Sequence, residues 1–289
     1  LNKIGSAFTS ISNKSSWIKT LNDIFIETQQ KLEYHSINNN DKKNWSTIKL
    51  INVSYSYPSS NIKAIKNLHL EIKKGLHYGF VGESGSGKST TIDILLGLLI
   101  PSQGLVKVDE TPLEELGIKN WQRNIGYVPQ KPLIINVSLK ENIAFGVDPK
   151  LIDEKKVFDC IKLASLEDLV KILPNGIDSK LGERGKFLSG GQEQRVAIAR
   201  ALYQNPSILI FDEATSFQDS KNENLIRKSI NKLKGKVTIF SISHKFSFIK
   251  NCDKVFVLEK GYLKEDLSYE EFLIKSKYYK KSEQYLNES

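Results

Sequence analysis

Gly82-Glu83-Ser84-Gly85-Ser86-Gly87-Lys88-Ser89 is the stretch on which the reading of this 289-residue chain turns. Its spacing is G-x-x-x-x-G-K-[ST], the pattern of a phosphate-binding loop. Gly82, Gly85 and Gly87, with Ser84 and Ser86 between them, let the backbone wrap a triphosphate and aim N–H groups at it. Lys88 reaches the β- and γ-phosphates, and the Ser89 hydroxyl, followed by Thr90, ligates Mg²⁺. His77–Val81 before the loop reads as a strand, and Thr90–Leu99 after it as a helix. The dinucleotide fingerprint G-x-G-x-x-G does not fit, because Thr90 stands where its last glycine belongs.

Around this loop, short apolar runs alternate with helix-like segments from Trp45 onward. The strand candidates are Ile48–Val53, His77–Val81, Leu105–Val108, Ile208–Phe211, Val237–Ile242 and Lys254–Leu258. Ile208–Phe211 and Val237–Ile242 are almost wholly apolar, as expected of strands buried on both faces of a parallel sheet. With no internal repeat, the pattern predicts a βα-alternating α/β protein. The strand Ile208–Phe211 runs into Asp212 and Glu213. Many buried strands end in a surface acid, but ligands of open α/β sheets sit at the carboxyl ends of strands. There Asp212 would hold the Mg²⁺ shell, and Glu213, pointing the other way along extended chain, is placed to polarise a water.

A second glycine signal follows at Leu188-Ser189-Gly190-Gly191-Gln192, opening a helix that runs from Gln192 to Tyr203. Small residues at a helix start leave backbone N–H groups pointing outward at the positive end of the dipole, a second place for an anion.

With loop, signature and acid-terminated strand in this order, the chain resembles the ATP-binding cassette family, whose defining signature LSGGQ it matches in full at Leu188–Gln192. The resemblance covers about Trp45 to Leu267. It implies a P-loop NTPase fold: a RecA-like parallel sheet core, a small antiparallel β subdomain and an α-helical signature subdomain over roughly residues 135–200. It implies ATP and Mg²⁺ as ligands. Tyr127-Val128-Pro129-Gln130 looks like the Q-loop, in which Gln130 senses Mg²⁺ alongside the metal ligands Ser89 and Asp212. Tyr57 matches the aromatic that stacks on adenine. Glu213 matches the general base, and His244 the switch histidine at the γ-phosphate, with Lys88 completing the catalytic set. In this family two cassettes pair head-to-tail, so Ser189, Gly190, Gly191 and Gln192 would close on ATP held by a second copy. Two positions depart from the pattern: Ser216-Phe217-Gln218-Asp219 replaces the usual D-loop Ser-Ala-Leu-Asp, and Lys245 follows His244 where Arg is common.

The resemblance is to exporters in particular, through Leu139–Gly146 after the Q-loop and Leu181–Gly185 before the signature. Within exporters, Thr90–Asp109 and Lys119–Gln130 look most like flippases of lipid-linked oligosaccharides and related polysaccharide exporters. The expected partners are a second cassette and a transmembrane domain of the same polypeptide, at the cytoplasmic face of the cell (inner) membrane. Two other readings stand beside it, a separate ATPase subunit of an importer and a non-transport cassette acting on nucleic acid or ribosomes. The importer subunit would begin close to its first strand. Repair members split the two motifs, and translation members carry two cassettes in one chain, unlike this one.

Residues 1–44 differ in composition, rich in Ser, Asn and Lys. Trp17, Leu21, Ile24, Phe25 and Leu32 fall mostly three or four apart, which predicts an amphipathic helix capped by Ser15 or Ser16. With no Met in the chain, the expectation is an excised fragment. Its first 44 residues would then be the end of a membrane domain or a connector, and residues 45–289 the cassette. No apolar run approaches the roughly 18–20 residues of a membrane-spanning helix, and no signal peptide is recognisable. Cys160 and Cys252 have no metal-ligand spacing. The net charge of +9 is spread along the chain as a Lys-rich solvated exterior would be, and no nucleic-acid partner is expected.

Overall fold

The computed structural model describes residues 45–58, 60, 62–182, 185–212, 220–243, 246–250 and 252–280. The leader helix expected before residue 45 lies outside the described residues, as do Glu183, Arg184, Glu213, the D-loop, His244 and Lys245.

The strands are β1 (Thr47–Ser56), β2 (Lys63–Lys73), β3 (His77–Val81), β4 (Gln103–Val108), β5 (Thr111–Pro112), β6 (Ile125–Val128), β7 (Ile208–Asp212), β8 (Thr238–Ile242), β9 (Lys254–Glu259) and β10 (Tyr262–Ser268). The helices are α1 (Lys88–Leu95), α2 (Ile118–Gln122), α3 (Leu139–Ile143), α4 (Glu154–Leu163), α5 (Glu167–Ile172), α6 (Gly190–Tyr203), α7 (Ser220–Leu233), α8 (Phe246–Ile249) and α9 (Tyr269–Lys275). One sheet has the order β10-β9-β3-β8-β7-β6. It is parallel from β9 to β6, and β10 is added antiparallel at the β9 edge. The other sheet, β2-β1-β4-β5, is antiparallel throughout. A parallel core with a small antiparallel subdomain is the architecture expected from the sequence.

Side-chain parity along the central strands divides the interior. Ile208 and Ile210 of β7 and Phe240 and Ile242 of β8 face one layer, packed with Tyr78, Phe80, Ile92 and Leu95 and with Ile48, Leu50, Leu70 and Ile72 of the antiparallel sheet. Leu209, Phe211 and Ile239 face the opposite layer, against Val196 and Ile198 of α6, Ile226 and Ile230 of α7, and Leu139, Val157 and Ile161 of the helical subdomain. Successive strand residues point to opposite faces, so an uninterrupted apolar strand is what two covered faces require. Each such side chain stabilises the fold by about 1.5–3 kcal/mol relative to exposure.

The helix expected over Thr90–Leu99 stops four residues early, at Leu95. Gly97 takes φ 68°, its N–H donates to the Ile94 carbonyl, and the Leu98 N–H donates to Asp93. That pair of bonds is the Schellman ending, which favours glycine because a left-handed φ strains other residues. Strands β2, β5, β6 and β10 had no counterpart among the candidates. β2 buries Ile65, Leu68, Leu70 and Ile72 and interleaves them with Lys, Asn, His and Glu, so its apolar signal is diluted.

Candidate nucleotide site

β3 delivers the chain to the carboxyl edge of the sheet, where Gly82–Gly87 turn it into α1. Gly82 has φ 149°, and a Cβ there would meet the Leu258 carbonyl oxygen at 2.2 Å and Ser86 Oγ at 2.6 Å. Only glycine fits. Gly87 stands at the N-cap of α1 with no side-chain oxygen, and no acidic residue lies in the first turn. The helix start is therefore left to an external anion. Lys88 is buried and folds back over the loop, its Nζ donating to the carbonyls of Gly82 and Glu83, each at 2.9 Å, and to Ser86 Oγ at 3.4 Å. The Ser86 carbonyl accepts from Gly261 N–H at 3.0 Å, and Ser86 N–H donates to Glu83 at 3.1 Å. The loop is thus pinned to the β9–β10 turn.

A cavity of 250 Å³ opens over this cradle, lined by Tyr57, Ala64, Ser84, Gly85, Gly87, Lys88, Ser89 and Thr90. Tyr57 is brought to the loop from β1's far end, its hydroxyl 3.1 Å from Thr90 Oγ1. Its ring stands edge-on to Tyr55 with centroids 5.0 Å apart, and it is 39% exposed, an aromatic face open to a planar ring.

On the inner side of α1 the acids gather. Asp212 closes β7, half-buried. Tyr127 Oη donates to Asp212 Oδ2 at 2.6 Å. Burial first, and the Asp212 carboxylate second, push the Tyr127 phenol well above its ordinary range. Asp93, four residues beyond Ser89 on α1, is raised by burial and then by Asp212. The Ser89 hydroxyl and the Asp212 carboxylate are hard oxygen donors, which suits Mg²⁺, an ion that takes one or two protein oxygens beside substrate phosphates. Among the described residues no cluster of three or more His, Cys, Asp or Glu offers an all-protein metal cage. Gln130 is exposed, two residues past Val128, which pairs with Phe211 immediately before Asp212. Neither Tyr127 nor Asp93 had been assigned a site role from sequence, although the i,i+4 spacing of Ser89 and Asp93 was there to see.

The signature is built elsewhere. Ser189 is the N-cap of α6, and its side chain accepts from Gln192 N–H at 3.3 Å, while Gln192 Oε1 accepts from Ser189 N–H at 2.7 Å. This reciprocal pair is a capping box. Ser189 is exposed, Gly190 half-buried and Gly191 buried. Since the Ser189 oxygen accepts within its own helix, its O–H remains to be donated outward. None of Leu188–Gln192 lines the cavity over the cradle.

Helix α6 is also tied to the segment that follows Gln130. Gln194, fully buried, donates from Nε2 to the Pro129 carbonyl at 3.1 Å. Arg200 donates from Nε to the Asn142 carbonyl at 2.8 Å, from one terminal nitrogen to Leu133 at 2.7 Å and from the other to Asn142 Oδ1 at 3.0 Å.

A family model described as "ABC transporter" matches residues 65–216. The chain is similar to "ABC transporter B family member 2" of Dictyostelium discoideum, 41% identical over 215 residues that make up 74% of this chain and 15% of that protein. It is similar to "Heterocyst differentiation ATP-binding protein HepA" of Nostoc sp., 39% identical over 78% of this chain and 37% of that one. Among solved structures it matches "Structure of a bacterial Atm1-family ABC exporter with ATP bound", with a TM-score of 0.75 and 33% identity over 85% of this chain and 42% of that chain. The chain therefore spans less than half of each of these relatives.

Proposed function

This chain belongs to the ABC transporter family as its ATPase domain, and from that premise we propose that it powers an exporter by hydrolysing ATP in sites shared between two cassettes. The observation that carries the reading is the separation of two anion-ready helix starts, the Gly82–Ser89 cradle and the capped start of α6, which share no cavity. A single chain offers each nucleotide one half of its contacts.

Tyr57 would stack on the adenine ring and Lys88 would exchange its loop carbonyls for phosphate oxygens, gaining charge-assisted bonds. Ser89, Asp212 and Gln130 are the residues that would hold Mg²⁺, which when bound neutralises the charge developing on the β- and γ-oxygens. Glu213 would take a proton from the attacking water, and His244 would contact the γ-phosphate. The Ser189 O–H and the backbone of Gly190 and Gly191 would meet that phosphate from the facing copy, and Gln192 would keep the helix start in shape. The relatives' names span a B-family transporter, a heterocyst differentiation protein and an Atm1-family exporter. Their common element is the motor rather than one cargo. The motor would work at the cytoplasmic face of a membrane, joined to a membrane-spanning domain. Among the described residues no helix is long and apolar enough to cross a membrane.

Complementation tests the shared site. Lys88→Ala removes the phosphate-binding amine, and Ser189→Arg fills the signature helix start. Each variant alone carries two damaged sites per dimer. Mixed together, one site collects both lesions and the other is intact, so ATP-dependent dimerisation followed by crosslinking should reappear on mixing. If the mixture dimerises no better than either variant while the parent chain responds, the signature serves its own chain and the proposal fails.

A further inference from the structure

We propose that Tyr127 is a positioning residue for the metal-binding carboxylate, holding one oxygen of Asp212 so that the other is presented to Mg²⁺. The inference rests on the reading above that Asp212 and Ser89 hold the metal. Tyr127 pairs in parallel register with Ile210, and Asp212, two residues further along β7, shares the face of Ile210. The phenol is long enough to reach across that step, and it donates to Asp212 Oδ2 at 2.6 Å, the length of a strong charge-assisted bond.

Two observations argue that the bond orients rather than merely packs. Tyr127 is 42% exposed, so its ring adds less to the core than a fully buried side chain would. Asp93, on α1, acts on the same carboxylate with like charge. Repulsion from Asp93 favours any rotation of Asp212 that carries its oxygens away from α1, and α1 is where Ser89 stands. A tether on Oδ2 restricts such rotation and leaves Oδ1 for the metal. Tyr127 also lies three residues before Gln130, so the same bond fixes the strand end from which the Gln130 segment departs. Partners that orient a metal ligand typically contribute tenfold to a hundredfold in metal affinity or activity.

Tyr127→Phe removes only the donor. The test measures affinity for a fluorescent ATP analogue as Mg²⁺ is titrated, then repeats the binding in EDTA. Mn²⁺ bound to the nucleotide complex, counted by electron paramagnetic resonance, gives a readout independent of turnover. The expected result is an approximately tenfold rise in the Mg²⁺ concentration for half-maximal effect and a matching loss of Mn²⁺ affinity, with nucleotide affinity in EDTA unchanged. Asp212→Asn is run in parallel. If Asp212→Asn shifts the metal dependence and Tyr127→Phe does not, the positioning role is wrong. If Tyr127→Phe weakens binding equally with and without metal, the phenol is structural and the inference also falls. If Asp212→Asn leaves the metal dependence untouched, the underlying assignment of the metal site fails instead.

Discussion

His77 sits inside the parallel sheet, with Nε2 2.8 Å from Ser241 Oγ and its backbone N–H donating to Asp253 Oδ2 at 2.8 Å. Burial lowers its imidazole from 6.5 to about 4; Asp253 opposes the shift and Lys234 adds to it. A depressed folded value means that the unfolded chain takes up a proton first as pH falls. The stability that His77 contributes is thus complete above pH 6.5 and drains away between there and pH 4, at up to about 1.4 kcal/mol per pH unit. Urea midpoints across this window should fall more steeply for the parent chain than for His77→Gln; equal slopes would show that the folded imidazole protonates freely. The same scale separates what the sequence could disclose from what it could not. Lys88, Ser89 and Gly82 were legible because their chemistry is local, fixed by spacing within eight residues. The tie from Tyr127 to Asp212 spans 85 positions, and no local pattern announces a partner that only strand pairing brings near.

Among elements, α1 shows how a single residue sets a boundary. Apolar periodicity carries a helix through Leu99, but the left-handed Gly97 overrules it, and a Cβ there would crowd Ile118 Cδ1 at 3.0 Å. Gly97→Ala should cost about 1–2 kcal/mol, read as a lower urea midpoint at unchanged slope. A variant of parental stability would mean that the ending tolerates a side chain. Strand positions followed a similar rule. β3, β7 and β8, buried along nearly their whole length, stood out as apolar runs, whereas β10 alternates half-buried with exposed residues and offered no run to see. The signature helix carried two messages in five letters. Ser189 and Gln192 read as an anion contact, and the fold shows them also as the capping box that starts α6.

At the scale of the whole molecule, every site residue brought together among the described residues lies between Tyr57 and Asp212, and the expected Glu213 and His244 lie further along still, far from the first 43 residues in sequence. Deleting residues 1–43 should therefore leave ATP affinity unchanged. A tenfold loss in equilibrium binding, about 1.4 kcal/mol, would show that the leader belongs to the cassette. On the proposed function, the two layers on either side of the sheet would meet nucleotide separately, one through α1 and the other through α6. Helix α6 is fastened along its length to Pro129, Leu133 and Asn142. Its exposed start and that fastened segment are two handles on one hydrogen-bonded unit. Whatever free energy a nucleotide at Ser189 delivers to the segment after Gln130, a pull on that segment must deliver in equal measure back to the nucleotide. The strut has no intrinsic direction. A motor built on it could be driven in reverse, with force applied at the segment loosening or tightening the grip on ATP, and only the irreversible loss of phosphate makes it run forward.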